Sequence, residues 1–350
     1  MTDLVFAFND KDQVKMLLDQ GKTNLLISYY YLNVKNKEKM INLLDYIKIR
    51  RGEQTNPGVF MLDSGAFSAW NNGDVVNLYD YIDFIKEYHK YFTHIVCLDI
   101  INNPIYSEIN HLIMLEELKN YNLGIIPVFH SGEPFSVLDY MVEQGYNYLG
   151  ISPNNNWMEQ TKREWLTRVF QRHNFDKLGI KTHGFGYQSV DGLAYFPLTT
   201  SDAITWVIAS AYGRIVDDTG MSLKFSNQVI GKVDHIDSIP GGYSKFVLEL
   251  CQELGMDIET LRDDYRQRRI FNIHALDRLT KREKNDVSMS PALFDIEENL
   301  ADFDRSQIGK LYNEAREKGR EYTGSPSLLL PPNKRRFAKN KPLPIEETLF

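Results

Sequence analysis

The chain has 350 residues, 43% of them hydrophobic, and a formal net charge of −7. That length supports a large core with a smaller appendage, and that charge argues against a protein that coats nucleic acid wholesale. No run reaches the roughly 18 apolar residues of a membrane span, and MTDLVFAFND has no basic stretch ahead of a long apolar one, so a soluble cytoplasmic protein with no membrane partner is expected. Cys97 and Cys251 are too few and too isolated for a disulfide framework or a closely spaced metal-binding pair, and read as buried thiols.

In chain order, LLISYYYL (25–32) is the first strand candidate. VFMLDSGAF (59–67), HIVCLDI (94–100), GIIPVFHSG (124–132), YNYLGISPN (146–154), KTHGFG (181–186) and YFPLTTSDAITW (195–206) follow. Helical patterns fill the gaps: KEKMINLLDYIKIR (37–50), NLYDYIDFIKEYHKYF (77–92) with Asn77 as N-cap, SEINHLIMLEELKNY (107–121), PFSVLDYMVEQG (134–145) and MEQTKREWLTRVF (158–170). The strand runs after the first carry their polar group at the C-terminal end. Strand, polar tip, helix is the repeat of an α/β fold of the TIM (β/α)8 type, which would bring Asp63, Asp99, His130, Ser152, His183 and Asp202 to one mouth. A doubly wound sheet is the competing architecture, but no glycine-rich phosphate loop follows residues 25–32.

Past Gly241-Gly242 the pattern turns helical, with 244–255 and 258–283, then irregular around one further short helix. We therefore expect a barrel domain over 1–243 and a helical C-terminal extension over 244–350. The extension is locally basic between Arg262 and Lys284 and again in PPNKRRFAKNKP (331–342), so Arg268, Arg269, Lys334, Arg335 and Arg336 are candidates for phosphate contact. A solvated helix face with a charged tail explains the same residues.

DSGAF (63–67) resembles the DSGGF element of tRNA-guanine transglycosylases, and FPLTTSDAITW with AYGRI (211–215) resembles their nucleophile segment. HGFG (183–186) and SDAITW (201–206) are similar to the DNA-acting branch, the DeoxyPurine-in-DNA protein A family. The resemblance spans roughly residues 59 to 215 and implies a TIM barrel in which Asp63 is a general acid/base, Asp202 attacks the anomeric carbon and Asp99 recognises the base. Two departures stand out. The zinc site of three cysteines and a histidine cannot form, because no cysteine follows Cys251, and His130 stands where the tRNA enzymes carry a base-reading glutamine.

The chemistry gives these residue types a reason of its own. Breaking an N-glycosidic bond leaves positive charge on the sugar and negative charge on the base, so a carboxylate at the anomeric carbon and a proton donor at the base lower the barrier together. Asp63 and Asp202 suit those tasks, although as helix caps they would be equally ordinary. Ser64, Asp99, His130, Gly150, His183 and Gly184 are the candidate substrate-binding residues. The histidines read alternatively as core residues or as ligands of a hydrolase metal, and Gly150, Gly184 and Gly186 as plain turns. Phe67, Trp70, Phe129, Phe185 and Trp206 are candidates to sandwich an extruded base, or simply core. The expected activity is exchange of a nucleobase, in DNA rather than RNA, for a free 7-deazaguanine derivative, with no cofactor and no metal. The alternatives are a DNA glycosylase that leaves an abasic site, as would suit phage defence, and a non-catalytic nucleic-acid-binding barrel.

Overall fold

A computed structural model describes residues 2–32, 36–154, 156–229, 235–238, 242–281 and 303–324. Its principal sheet contains β1 (Asp3–Ala7), β2 (Leu25–Ser28), β3 (Phe60–Asp63), β4 (His94–Val96), β5 (Gly124–Ile126), β6 (Val128–His130), β7 (Tyr148–Ser152), β8 (Lys181–Gly184) and β9 (Thr200–Ala203). Their order is β5-β4-β3-β2-β1-β9-β8-β7-β6. β5 and β6 are two halves of one run broken at Pro127, which has no N–H to give a ladder, so the order begins and ends on the same segment. That is the connectivity of a (β/α)8-type barrel, the α/β class expected. The pairings β1–β9, β2–β3, β3–β4, β4–β5 and β8–β9 are parallel.

Among the strands of this sheet, β1 and β2 differ from expectation. β1 was not anticipated: a five-residue strand is too short for a periodicity, and its only marks are a buried apolar run and the Asn9-Asp10 stop that follows. LLISYYYL is a strand only to Ser28. At Tyr31 and Leu32 the backbone N–H groups turn back to Ser28 O, at 3.1 Å each, so the aromatic run forms a turn despite its strand propensity.

The described residues divide into two compact units, one of 2–7 with 152–281 and the other of 8–151 with 303–324. In the first, the helix Thr205–Ala211 anchors to β1 through Trp206, fully buried, whose Nε1–H donates to Ala7 O at 3.1 Å. The long helix Tyr265–Thr280 is held by Asn272, also fully buried. Its side chain accepts from Val216 N–H at 2.8 Å and donates to Ser210 Oγ at 2.9 Å.

In the second unit the helix Leu78–Tyr88 starts where Asn77 Oδ1 accepts from the Tyr79 and Asp80 N–H groups, as expected of that cap. It buries Leu78, Tyr81, Ile82 and Ile85, and the Tyr81 hydroxyl donates to Val96 O at 2.9 Å, tying helix to strand. The helix Ile308–Lys318 lies along Pro104–Leu118, where Arg316 bridges Glu116 and Glu117 at 3.0 and 2.8 Å. Beyond it, Asn110, fully buried, accepts from Tyr322 OH at 2.8 Å and donates to Leu98 O and Gly324 O at 2.9 Å each. The chain after residue 243 thus contributes 245–280 to the first unit and 303–324 to the second. Most of the irregular stretch 285–304, and Lys334, Arg335 and Arg336 with it, lie outside the described residues. Among those residues no helix is long and apolar enough to cross a membrane.

Candidate active site

In the second unit, β3 ends on Asp63, whose Oδ2 accepts from the Gly65 N–H at 3.1 Å. Ser64 is fully buried, and its Oγ accepts from the Ala66 N–H at 3.3 Å at the start of the helix Ala66–Asn72. Gly65 makes this turn possible. Its φ is +75°, and a Cβ there would lie 2.4 Å from both Ser28 Oγ and Tyr30 Cβ. The DSGAF segment is therefore a tight turn seated against the end of β2, and its two polar side chains are oriented by local N–H groups.

β4 runs on into Cys97, Leu98 and Asp99, and Asp99 is buried. Across from it, at the end of β6, His130 Nε2 lies 2.7 Å from Asp99 Oδ2, an ion-pair contact off the line of a good hydrogen bond. The segment HSGE (130–133) closes a turn in which Gly132 has φ +93° and the Glu133 N–H donates to His130 O at 3.2 Å. Glu133 answers in the other direction, because its Oε2 accepts from the His130 N–H at 2.9 Å. Its Oε1 is buried without a partner among the described residues. Burial acts to lower the His130 pKa, but the Asp99 carboxylate against the ring, with the charge of Glu133, raises it from 6.5 to about 9. Burial pushes the Glu133 carboxyl up from 4.5 to about 7, against the lowering effect of His130. Glu133 was missed by sequence reasoning, although a glycine at the third position of a turn after a strand, followed by an acid, was a legible signal.

Gly150, in the same unit, donates its N–H to Pro127 O at 2.8 Å, so that amide is committed to the sheet. Phe67 and Trp70 are exposed on the helix after Asp63, whereas Phe129 is fully buried and belongs to the core.

In the first unit, β8 carries His183 and Gly184, and β9 carries Thr200, Ser201 and Asp202. His183 is fully buried. Its Nδ1 lies 2.7 Å from Thr200 Oγ1, while its Nε2 has no hydrogen bond among the described residues and stands 3.6 Å from Asp202 Oδ1. Asp202 Oδ1 accepts from the Gly186 N–H at 2.5 Å, the only hydrogen bond to that carboxylate among the described residues. Ser201 Oγ lies 2.8 Å from Gly184 O and 2.5 Å from Tyr187 O, which binds the HGFG turn to β9. A Cβ on Gly184 would meet Leu198 Cδ1 at 2.9 Å and Ser201 Oγ at 3.0 Å, so its role is close packing. Phe185 sits edge-on to His183 at 4.4 Å, and Trp206 is core.

Arg268 requires a correction. Expected on a solvated phosphate-binding face, it is buried, and its guanidinium donates to Leu261 O at 2.8 Å, Arg262 O at 2.9 Å and Ser210 O at 3.4 Å. The three main-chain carbonyls that its guanidinium caps make the arginine structural. Arg269 is half-buried and stacks over the exposed Tyr265 ring at 5.0 Å. Among the described residues no group of three or more His, Cys, Asp or Glu could hold a metal ion.

No protein-family model and no curated protein matches this sequence. Solved structures similar to it include the tryptophan synthase subunit alpha of Legionella pneumophila str. Paris, at 9% identity over 80% of this chain and 92% of that one, with a TM-score of 0.45. The YdjI aldolase of Escherichia coli K12 follows at 9% identity, 80% and 91% coverage and a TM-score of 0.44. KGPDC of Streptococcus mutans has 11% identity, 58% and 87% coverage and a TM-score of 0.34. Likenesses this remote carry no argument about substrate or reaction.

Proposed function

We propose that this protein is an enzyme that cleaves the N-glycosidic bond of a nucleobase in DNA, with Asp202 as nucleophile and Asp63 as general acid/base, and replaces that base with a free 7-deazaguanine derivative. The observation that carries the reading is the setting of Asp202. Its carboxylate sits at a strand end, 14% exposed, with one oxygen held by a backbone N–H and a histidine nitrogen 3.6 Å from it. A carboxylate held by a single N–H is aimed without being smothered, and retains the lone pairs that attack on an anomeric carbon requires. Asp63, oriented by the Gly65 N–H, has the fixed geometry that a proton-transfer group needs. Both stand in motifs that resemble the transglycosylase elements, DSGAF and SDAITW.

The test is mass spectrometry of nucleosides and free bases after incubation of the protein with DNA and labelled 7-deazaguanine precursors. Incorporation is expected in the wild type and should be absent from a folded Asp202→Asn variant, which keeps the side-chain volume and loses the attacking charge. Base release with abasic sites and no incorporation would replace exchange with excision. Wild-type turnover by Asp202→Asn would remove the nucleophile assignment.

A further inference from the structure

In the first unit, β8 and β9 pair in parallel with His183 opposite Thr200 and Gly184 opposite Ser201. Because side chains alternate along a strand, Thr200 and Asp202 lie on one face of β9 and Ser201 on the other. The Ser201 hydroxyl is taken up by the carbonyls of Gly184 and Tyr187, whereas the Thr200 and Asp202 side chains both meet His183. The imidazole is thus bracketed, Nδ1 by the Thr200 hydroxyl at 2.7 Å and Nε2 by Asp202 Oδ1 at 3.6 Å. His183 and Thr200 are buried, and Phe185 closes edge-on at 4.4 Å, so the ring is held from three sides.

The bracketing decides where the ring hydrogen sits. A bare lone pair on Nε2 would face a carboxylate oxygen, so Nε2 carries a hydrogen whether the ring is neutral or charged. The Thr200 hydroxyl donates to a bare Nδ1 or accepts from a protonated one, and fits both cases. Nε2–H is then a buried donor with no hydrogen bond among the described residues, and the acceptor that faces it is Asp202 Oδ1. The Gly186 N–H donates to that same oxygen. Two donors therefore converge on Oδ1, while Oδ2 accepts no hydrogen bond among the described residues.

We propose that His183 is the positioning residue of the nucleophile: held by Thr200, it presents Nε2–H to Asp202 Oδ1, so that Oδ2 is the attacking oxygen and the carboxylate is stabilised as it departs from the sugar. The inference rests on the N-glycosidic reading above and concerns only groups of the first unit. In the first displacement an Oδ2 lone pair forms the bond to the anomeric carbon, the C–N bond breaks, and its electron pair leaves with the base. Oδ1 becomes the carbonyl oxygen of an ester and loses most of its charge. In the second displacement a ring-nitrogen lone pair of the incoming base forms the new C–N bond, the C–Oδ2 bond breaks, and its pair returns to the carboxylate. The charge that reappears is shared with Oδ1, where the Gly186 and His183 donors meet it with little reorganisation. Protons exchanged with the two bases belong to the general acid/base of the proposed reaction, and the His183 hydrogen stays on Nε2. A donor that favours the free carboxylate over its ester assists the second displacement more than the first. The 3.6 Å contact of the free protein tightens as that charge develops.

The experiment uses the full chain, a DNA oligonucleotide and labelled 7-deazaguanine precursors. Intact-protein mass spectrometry after acid quench reads the covalent sugar–Asp202 adduct, and nucleoside analysis reads turnover. His183→Phe fills the space of the ring without a donor, whereas the amide of His183→Gln brings a donor to the Nε2 position. His183→Phe should turn over at least about tenfold more slowly while its adduct builds up severalfold. His183→Gln should recover most of the rate, and Thr200→Val, nearly isosteric, should show a weaker form of the same build-up. A merely structural role would lower adduct and turnover together. Independently of turnover, long-range NMR correlation of ring-15N histidine should find the His183 ring, assigned by its absence from His183→Gln, with hydrogen on Nε2, and Asp202→Asn should move that resonance. If the His183→Phe chain does not fold, Thr200→Val and the NMR decide. Wild-type turnover by His183→Phe, joint loss of adduct and turnover in the folded variants, or a wild-type ring with hydrogen on Nδ1 alone would overturn the proposal. A chain that transfers no base yet shows Nε2–H coupled to Asp202 would fail the proposed function alone. One that exchanges bases through Asp202 while its His183 ring carries hydrogen on Nδ1 alone would fail this inference alone.

Discussion

Gly65→Ala separates steric demand from backbone demand at the turn that carries Asp63. Gly65 and Gly73 flank the same helix, Ala66–Asn72, with nearly equal left-handed backbones, φ +75° and +77°. A Cβ at Gly73 meets nothing within 4 Å, whereas one at Gly65 lies 2.4 Å from Ser28 Oγ and Tyr30 Cβ. Ser28 Oγ can rotate away, but Tyr30 Cβ is attached to the backbone and moves only if the chain moves. Gly73→Ala should therefore cost only the left-handed penalty, about 1 kcal/mol. Gly65→Ala adds an overpacking term of about 1–3 kcal/mol, for a total of about 2–4 kcal/mol. Against a stability of roughly 5–15 kcal/mol that loss is easily measured. Urea unfolding of the two variants and the wild type, at matched slope, reads the difference in midpoint. Activity should fall in Gly65→Ala beyond what stability explains, because the shift moves Asp63 with the turn. Equal midpoints for the two alanine variants would refute the claim that contact with the end of β2, and not φ alone, demands glycine at this position.

Asn110→Leu leaves Leu98 O, Gly324 O and the Tyr322 hydroxyl without their partner in a buried site. The cost should be about 2–5 kcal/mol, and limited proteolysis should first cut near 319–324; an unchanged cleavage pattern would deny that Asn110 clips this segment. Arg268→Met should destabilise by about 1–3 kcal/mol with little change in the salt dependence of DNA binding. Neutralising Lys334, Arg335 and Arg336 together should instead weaken DNA binding and flatten its salt slope, and the opposite assignment of these effects would reverse the roles. Stability should also fall as pH rises, because both shifted groups hold protons more tightly when folded. The Glu133 contribution, full below 4.5, is lost through about 7, and that of His130, full below 6.5, is lost through about 9. Glu133→Gln should flatten the unfolding midpoint between about pH 5 and 7, and a slope parallel to the wild type would count against the buried acid.

What the sequence determined by itself was the repeat of apolar run, polar tip and helix, because alternation of that kind is local and each run is long enough to show it. Asn77 as a cap, Asp63 and Asp202 at strand ends and the barrel class all follow from such local rules. β1 escaped because five residues hold too little periodicity, and the YYY run misled because strand propensity yields to the turn its surroundings require. Arg268 read as a surface cation and is instead buried on main-chain carbonyls, since a charge pattern along the chain does not reveal which groups the fold will pack around it. Asp99 and His130 were legible as strand-end groups of one mouth, but their close contact and the part of Glu133 required the tertiary structure. Asp99 and His130 are 31 positions apart, and their contact exists only because two strands end side by side. A pKa is set by burial and by charges within a few ångströms, and those distances belong to the fold.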